Sequence, residues 1–257
     1  MSTGRFAPAP RPCRPTALLL AVLLVLLPAA ARAEGLFLDE RFADLERWQP
    51  LIFPKIARHS TYTVDQCDGA PCLRMESRNA ASGLVLKERF NVYDYPVLSW
   101  RWKVSNVYRR GDSSRREGDD APARLYVLFA YNPNGASPAR RIRYGLARAV
   151  YGEYPPHSSI SYIWDNRPTA APFLVNAYAD EARMIPVSSG PDLVSTWQEY
   201  RMDIVRDYRL AFGQDPPQQA SLAVMIDSDD TGESATAWIS FIRLGRRPAA
   251  TTEDNRP

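Results

Sequence analysis

Short runs rich in β-branched and aromatic residues follow one another along most of the chain, separated by clusters of Gly, Pro, Asn and Asp. Such runs are typical of strands, and such clusters are typical of turns. The long helical segments that alternate with strands in a doubly wound parallel sheet are missing. The sequence therefore predicts an all-β domain over residues 34–245, a two-sheet antiparallel β-sandwich of the jelly-roll, galactose-binding-like kind.

Two segments break this pattern and predict short helices. In Ala139–Tyr151 and in Ile204–Phe212 the apolar residues recur at helical spacing. Gly213 follows the second segment, where a left-handed residue commonly ends a helix. Residues 246–257 are polar and contain proline, which predicts a disordered tail.

The first 33 residues have the three parts of a secretory signal peptide. A basic stretch precedes an apolar run, Ala17–Leu27, and small residues follow it up to Ala33. The alternative is an uncleaved membrane anchor, but this run is shorter than the roughly 20 residues that span a bilayer. The sequence predicts cleavage before Glu34 and a secreted, periplasmic protein without a membrane span.

The charge of the mature chain argues against one class of partner. The whole chain has 32 Lys and Arg against 29 Asp and Glu. Four arginines and no acid lie in the predicted signal peptide, which leaves 28 basic against 29 acidic groups. We therefore expect no nucleic-acid partner, since such binding needs a positive field. The sequence also lacks the glycine-rich motifs of nucleotide binding, so no nucleotide or redox cofactor is expected. The oligomeric state is left open.

Two cysteines remain in the mature chain, Cys67 and Cys72, on either side of the turn sequence Asp-Gly-Ala-Pro. In an oxidising compartment this pair predicts a disulfide. The alternative is a pair of free or metal-binding thiols.

Two strand-like runs carry aromatic residues on one face. Strand alternation sends Trp100 and Trp102 to the same side, and it does the same for Tyr162 and Trp164. Each pair belongs either to the core or to a platform on which a sugar ring stacks. His157 precedes the second run and is either an ordinary loop histidine or a functional group that titrates near neutral pH.

The segment Asp227–Ser234 places four carboxylates within seven residues. Their repulsion needs relief by a cation, by arginines or by water, and oxygen-rich clusters favour Ca²⁺. The spacing copies the first half of a calcium loop, but Trp238 stands where the final bidentate Glu belongs. The alternatives are a calcium site completed by distant acids such as Asp39 or Glu40, a carboxylate–arginine network, and a plain turn. The candidate metal ligands are Asp227, Asp229, Asp230 and Glu233.

A long polar loop, Arg109–Ala123, contains Asp119 and Asp120 and leads directly into a strand that starts at Arg124. Such a loop inside a domain is either functional or merely mobile. Arg124 is suited to pair with the acids or to hold an anionic group through two of its nitrogens.

These segments resemble the DUF3047 family of bacterial exported proteins of unknown function. The family is similar in outline to galactose-binding and carbohydrate-binding jelly-roll modules, and this resemblance implies sugar binding without assigning an activity. The resemblance covers most of the mature chain and rests on Trp100–Val104, Gly118–Asp120, Arg124–Val127, Tyr162–Trp164, Trp197, Asp207–Gly213 and Asp227–Ala235.

We therefore expect an exported protein that binds a glycan or another polar ligand, with Ca²⁺ as the candidate cofactor. One alternative is a polysaccharide hydrolase or lyase that uses the carboxylates as acid and base. Another is a structural envelope protein. The candidate ligand-binding residues are Trp100, Trp102, Asp119, Asp120, Arg124, Tyr126, His157, Tyr162, Trp164, Asp227, Asp229 and Glu233.

Overall fold

The computed structural model of the chain describes Met1, residues 35–135 and residues 156–248. The predicted signal peptide, the helix predicted over Ala139–Tyr151 and the tail beyond residue 248 lie outside the described residues. Within the described ranges, no helix has the length and apolar character needed to cross a membrane.

The described strands form two sheets. Sheet A runs in the order β12-β7-β14-β4-β3, with β1 also paired to β14. Its strands are β1 (Leu36–Glu40), β3 (Thr61–Cys67), β4 (Ala70–Arg78), β7 (Val97–Val104), β12 (Gln198–Asp203) and β14 (Ser234–Gly245). Sheet B runs in the order β10-β11-β9-β8-β13-β5-β2, with β6 also paired to β13. Its strands are β2 (Trp48–Leu51), β5 (Ala81–Leu86), β6 (Phe90–Asn91), β8 (Arg124–Phe129), β9 (Ser158–Asp165), β10 (Leu174–Val175), β11 (Ala182–Ser189) and β13 (Gln219–Asp227).

Strand pairing is antiparallel throughout the described part of both sheets, except that β9 and β11 run parallel. The chain crosses repeatedly from one sheet to the other, as in a jelly roll, for example from β7 to β8 and from β13 to β14. The predicted two-sheet β-sandwich is thus confirmed. The parallel pair is the one departure from the predicted antiparallel pattern.

The core lies between the two sheets and contains the aromatic residues that were candidates for stacking. Trp100, Trp102, Tyr162 and Trp164 all have 0% exposure. Trp100 from sheet A meets Tyr162 from sheet B, with their ring centroids 5.0 Å apart. The stacking role is therefore wrong for these four residues, because the inward face of each strand is sealed by the opposite sheet.

The helix predicted over Ile204–Phe212, here α1, is confirmed. The Asp203 side chain accepts a hydrogen bond from the backbone N–H of Arg206 at 2.9 Å and caps its first turn. Gly213 ends the helix in the left-handed conformation, with φ of 68°. The apolar face, which includes the buried Tyr208, packs against the core.

The predicted disulfide between Cys67 and Cys72 is present and links the two strands of the β3–β4 hairpin beside its turn. Asp68 and Gly69 both have positive φ, as a tight two-residue hairpin turn requires.

The first residues of the predicted tail belong to the domain. Arg246 donates its backbone N–H to the carbonyl of Gly35 at 2.9 Å. The Nε atom of Arg247 lies 2.7 Å from Oδ2 of Asp203. Two residues of the segment predicted as a tail therefore contact the domain.

Candidate functional site

A cavity of about 610 Å³ opens where β8 begins and β13 ends. These two points meet because the strands are antiparallel neighbours, with Arg124 paired to Met225. The loop that precedes β8 and the segment that follows β13 therefore contribute to one concave surface. Its polar lining residues are Asp119, Arg124, Tyr126, Asn176, Tyr178, Asp227, Asp229 and Asp230, with Lys55 as a second cation. Its apolar lining residues are Phe53, Pro54, Ile56, Ala81 and Met225.

Arg124 forms the floor of this cavity and is 1% exposed. Its Nε donates to Oδ1 of Asp227 at 3.0 Å, and its Nη2 donates to Oδ1 of Asp119 at 3.0 Å. Burial opposes the guanidinium charge, but the two carboxylates outweigh it, and the pKa of Arg124 lies well above its ordinary value. The sequence prediction that Arg124 pairs with the acids is therefore what the structure shows.

The surroundings of Asp227 raise the pKa of its carboxyl group. Burial raises its pKa to about 7, and the nearby charge of Asp120 adds to that effect, although Arg124 lowers it. Its Oδ1 also accepts the backbone N–H of Ala121 at 3.0 Å. A carboxyl group with a pKa near neutrality titrates under physiological conditions, which makes Asp227 sensitive to any cation bound beside it.

Asp120, Asp227 and Asp229 place one carboxylate oxygen each within 4.8 Å of one another. Asp120 has 0% exposure, and its Oδ2 accepts the backbone N–H of Thr231 at 2.6 Å. Burial raises the pKa of Asp229, and the charge of Asp120 raises it further. Oxygen donors at such separations suit a hard cation such as Ca²⁺. This set overlaps the predicted metal ligands, with Asp120 in place of Asp230 and Glu233.

Asp230 faces Tyr178 across the mouth of the cavity. The Tyr178 hydroxyl lies 2.8 and 2.9 Å from the two carboxylate oxygens of Asp230. Burial raises the pKa of Asp230 to about 6, while this hydrogen bond lowers it. Tyr178 is 55% exposed, and the Arg116 guanidinium lies over its ring, 5.3 Å from the ring centroid. Next to it, the Asn176 amide donates to Oδ2 of Asp119 at 2.7 Å.

Glu233 does not join the other acids. Its carboxylate accepts the backbone N–H groups of Arg109 and Arg110 at 3.1 and 2.9 Å, and it lines a different cavity. The predictions that placed Glu233 among the metal and ligand-binding residues are therefore not supported by its position.

Three other candidates lie away from the cavity. Asp39 pairs with Arg243 on the surface of sheet A, and Glu40 accepts the indole N–H of Trp48 at 3.0 Å. His157 donates its backbone N–H to Phe129, at the opposite end of β8 from Arg124. A ligand in the cavity would therefore not contact His157.

The loop Arg109–Ala123 packs against the domain beside the cavity. At Gly111 an added Cβ would lie 2.1 Å from the amide nitrogen of Asn166, so only glycine allows this packing. Asn166 in turn accepts the backbone N–H of Tyr108 at 2.7 Å. These contacts attach the loop to the domain, which favours the functional alternative. The loop holds Asp119 and Asp120 in fixed positions over sheet B.

Sequence reasoning missed the walls of the cavity. Asn176 and Tyr178 come from the connection between β10 and β11, and Phe53–Ile56 come from the connection between β2 and β3. The local signal was weak, because an isolated aromatic residue in a polar connection is common on protein surfaces.

Comparisons with solved structures find distant similarities. This chain is similar to the enzymatically active domain of bacteriophage CBA120 tailspike protein 4, with 11% identity and a TM-score of 0.38, over 80% of this chain and 20% of that chain. A family 30 carbohydrate-binding module of a Clostridium thermocellum cellulosomal cellulase has 14% identity and a TM-score of 0.38, over 85% and 99% of the two chains. The Emp47p carbohydrate recognition domain has 11% identity and a TM-score of 0.42, over 84% and 99%. At these values we draw no conclusion about ligand or activity.

The sequence itself gives the family. A search of curated proteins finds no match. A family described as "Protein of unknown function (DUF3047)" matches residues 46–243, which include the cavity and both strands beneath it. Since this match spans most of the sequence, the chain belongs to the DUF3047 family.

Proposed function

We propose that this is an exported protein that binds a glycan, or another polar and hydroxyl-rich ligand, in the cavity at the β8–β13 edge. We further propose that a Ca²⁺ ion held by Asp120, Asp227 and Asp229 takes part in binding. The observation that carries the proposal is the convergence of acids from two distant segments on one concave surface that also has apolar walls.

The charge balance of the cavity supports a bound cation. Four aspartates line it and Asp120 lies behind them, whereas Arg124 and Lys55 are the cations that line it in the described part of the chain. Burial is the main cause of the raised pKa values of Asp227 and Asp229, and the negative charge of Asp120 adds to both. Ca²⁺ takes about six to eight oxygen ligands, so three carboxylates would leave positions for water and for ligand hydroxyls.

The remaining walls suit a sugar. The rings of Phe53 and Tyr178 offer apolar surface to one face of a pyranose. Asp230 and Asn176 offer hydrogen-bonding groups at the cavity mouth. The volume of about 610 Å³ lies within the range of small-molecule sites. Mixed walls of this kind favour a ligand that is polar at its edges and apolar on its faces.

Export is supported by two features. Residues 1–33 have the pattern of a signal peptide. The Cys67–Cys72 disulfide is of a kind that persists in oxidising compartments and is rare in the cytosol.

A glycan array tests the proposal. The secreted protein should bind one or more glycans in the presence of calcium, and excess EDTA or Asp229→Asn should remove the signal. Tyr178→Ala should weaken binding, whereas Tyr93→Ala, at an exposed tyrosine that does not line the cavity, should not. No binding above background, with or without calcium, would overturn the proposal. It would leave the structural role, in which these acids only hold loops together.

One observation favours an enzymatic alternative. Asp227 and Asp230 line the same cavity and have pKa values raised to about 7 and about 6. A carboxylic acid that remains protonated near neutrality, beside an ionised one, is the arrangement that glycoside hydrolysis uses. Release of reducing sugar or of an unsaturated product from a polysaccharide would establish this activity. It should then be lost in Asp230→Asn, and its absence on glycans that the array identifies would exclude it for those glycans.

A further inference from the structure

A second cavity, of about 430 Å³, is lined in part by the end of the acidic segment and the two residues that follow it, Gly232–Thr236. None of the contacts in the proposed function uses it. Its walls are mostly polar, and two arginines from separate parts of the chain contribute to them. The side chains that matter for its chemistry are Arg58, Arg78, Asn79, Glu233, Ser234 and Thr236.

The two arginines are held near each other by the fold. Arg78 ends β4 and is paired across the ladder with Ser234, the first residue of β14. Arg58 precedes β3, and its carbonyl accepts the backbone N–H of Ala81 at 3.1 Å. Two residues later, Ser60 donates its hydroxyl to the carbonyl of Ile226 at 2.7 Å. These bonds attach the Arg58 segment to the same end of sheet B that carries the acidic segment.

The positive charge of this cavity is not neutralised by the protein. Among the described residues, neither Arg58 nor Arg78 has a carboxylate within ion-pair distance, unlike exposed arginines such as Arg209 and Arg247. The acid in the wall, Glu233, accepts two backbone N–H groups from Arg109 and Arg110, and its Oε1 lies 3.7 Å from Nε of Arg110. The two guanidinium groups are therefore available to a ligand.

The rim of the cavity is fixed by hydrogen bonds within the protein. The Asn106 amide donates to the carbonyl of Ser234 at 3.1 Å, and Ser105 Oγ accepts the backbone N–H of Thr236 at 2.9 Å. Asn79 adopts a positive φ of 50° and donates its backbone N–H to the carbonyl of Glu233 at 2.9 Å. Because this backbone is already held in place, a ligand would lose little binding free energy to ordering the site.

We propose that this second cavity binds an oxyanion, a carboxylate, sulfate or phosphate group, between Arg58 and Arg78. A guanidinium presents paired N–H groups that match the oxygen atoms of such anions, and two of them recognise an anion better than isolated surface charges do. The inference does not depend on the proposed function, since the two cavities have opposite charge and different lining residues.

Calorimetric titration of the secreted protein in EDTA at constant ionic strength tests this inference, because EDTA should silence the calcium-dependent sugar site. Sodium sulfate, sodium phosphate and sodium glucuronate are the probes, and glucose is the neutral control. At least one oxyanion should bind saturably and glucose should not, and the strongest probe identifies the group. Arg58→Gln and Arg78→Gln should each weaken binding about tenfold or more. Arg201→Gln, at an exposed arginine on β12, should have no effect.

Two outcomes would overturn the inference. One is the absence of saturable binding for every oxyanion probe. The other is unchanged affinity in the Arg58→Gln, Arg78→Gln double variant, with a melting temperature that confirms folding. Asp229→Asn should abolish calcium binding at the first cavity and leave the oxyanion titration unchanged, so failure at one cavity is distinguishable from failure at the other.

Discussion

Arg124 and Asp227 form an ion pair where β8 begins and β13 ends, with Nε 3.0 Å from Oδ1 and both side chains almost fully buried. Oδ1 of Asp119 lies 3.0 Å from Nη2 of the same guanidinium. Buried charges are tolerated when each has its partner, and removal of one partner leaves the other uncompensated. This network therefore joins the stability of the domain to the shape of the cavity above it.

Replacement of Arg124 should destabilise the fold strongly. Arg124→Gln leaves Asp119 and Asp227 buried without their cation, and we expect a loss of about 3–5 kcal/mol in the free energy of unfolding. Arg243→Gln is the matched control, because the Arg243–Asp39 pair is exposed and should contribute less than about 1 kcal/mol. Urea unfolding measures both values. Equally small losses would show that the buried network does not stabilise the domain.

The pH dependence of stability should report on Asp230. Its pKa is raised to about 6 in the folded chain, against about 3.9 in an unfolded one. The folded chain then binds more protons between these values, so this contribution to stability is present below about pH 4 and is lost as the pH rises through 6.

The comparison of two proteins isolates that effect. Asp112 and Asp203 have lowered pKa values and give the opposite slope, so the wild-type curve alone is a sum of both signs. Between about pH 4 and pH 7 the melting temperature of the wild type should fall relative to that of Asp230→Asn. Parallel melting curves for the two proteins over this range would contradict the assignment.

Replacement of a core residue should lower the stability of the domain, whereas replacement of a cavity residue should lower ligand binding with little effect on stability. Trp102 is fully buried, and Trp102→Ala should cost about 3–5 kcal/mol in urea unfolding. Tyr178 is 55% exposed, and Tyr178→Ala should cost less than about 1 kcal/mol while it weakens glycan binding. If Tyr178→Ala bound glycans like the wild type, its ring would not form part of the ligand site.

Loss of the disulfide should have a modest effect. Cys67 and Cys72 are separated by 5 positions, so the bond closes a small loop. The chain-entropy relation gives about 2 kcal/mol for a loop of this size. The Cys67→Ser, Cys72→Ser variant should therefore unfold at lower urea concentration without any change in calcium affinity. A free-thiol assay that finds two reactive sulfhydryls in the secreted wild type would contradict the bond itself.

The sandwich and several of its strands could be predicted because alternation is a local property of the sequence. The same rule places Trp100 and Trp102 on one face, and the structure decides that this face is the core. The sequence indicates that Arg124 is suited to pair with acids. It does not show that Asp227 is one of them, because this depends on β8 and β13 being neighbours in the sheet, which no local pattern contains.

The errors at the site also have a physical origin. A calcium-loop pattern counts spacing along the chain, but the backbone turns at Gly232, with φ of 66°, and Glu233 then binds the backbone of Arg109 and Arg110. Tyr178 reaches the cavity through a connection whose position depends on tertiary contacts. Such residues become visible only when the fold is known.

Calcium binding measured by calorimetry at neutral pH tests the central claim most directly, since it asks whether Asp120, Asp227 and Asp229 act as one site. The account predicts that the wild type binds calcium saturably with one ion per chain, that Asp229→Asn loses this binding, and that Glu233→Gln keeps it. No saturable heat with the wild type, or equal calcium affinity in Asp229→Asn, would contradict the account.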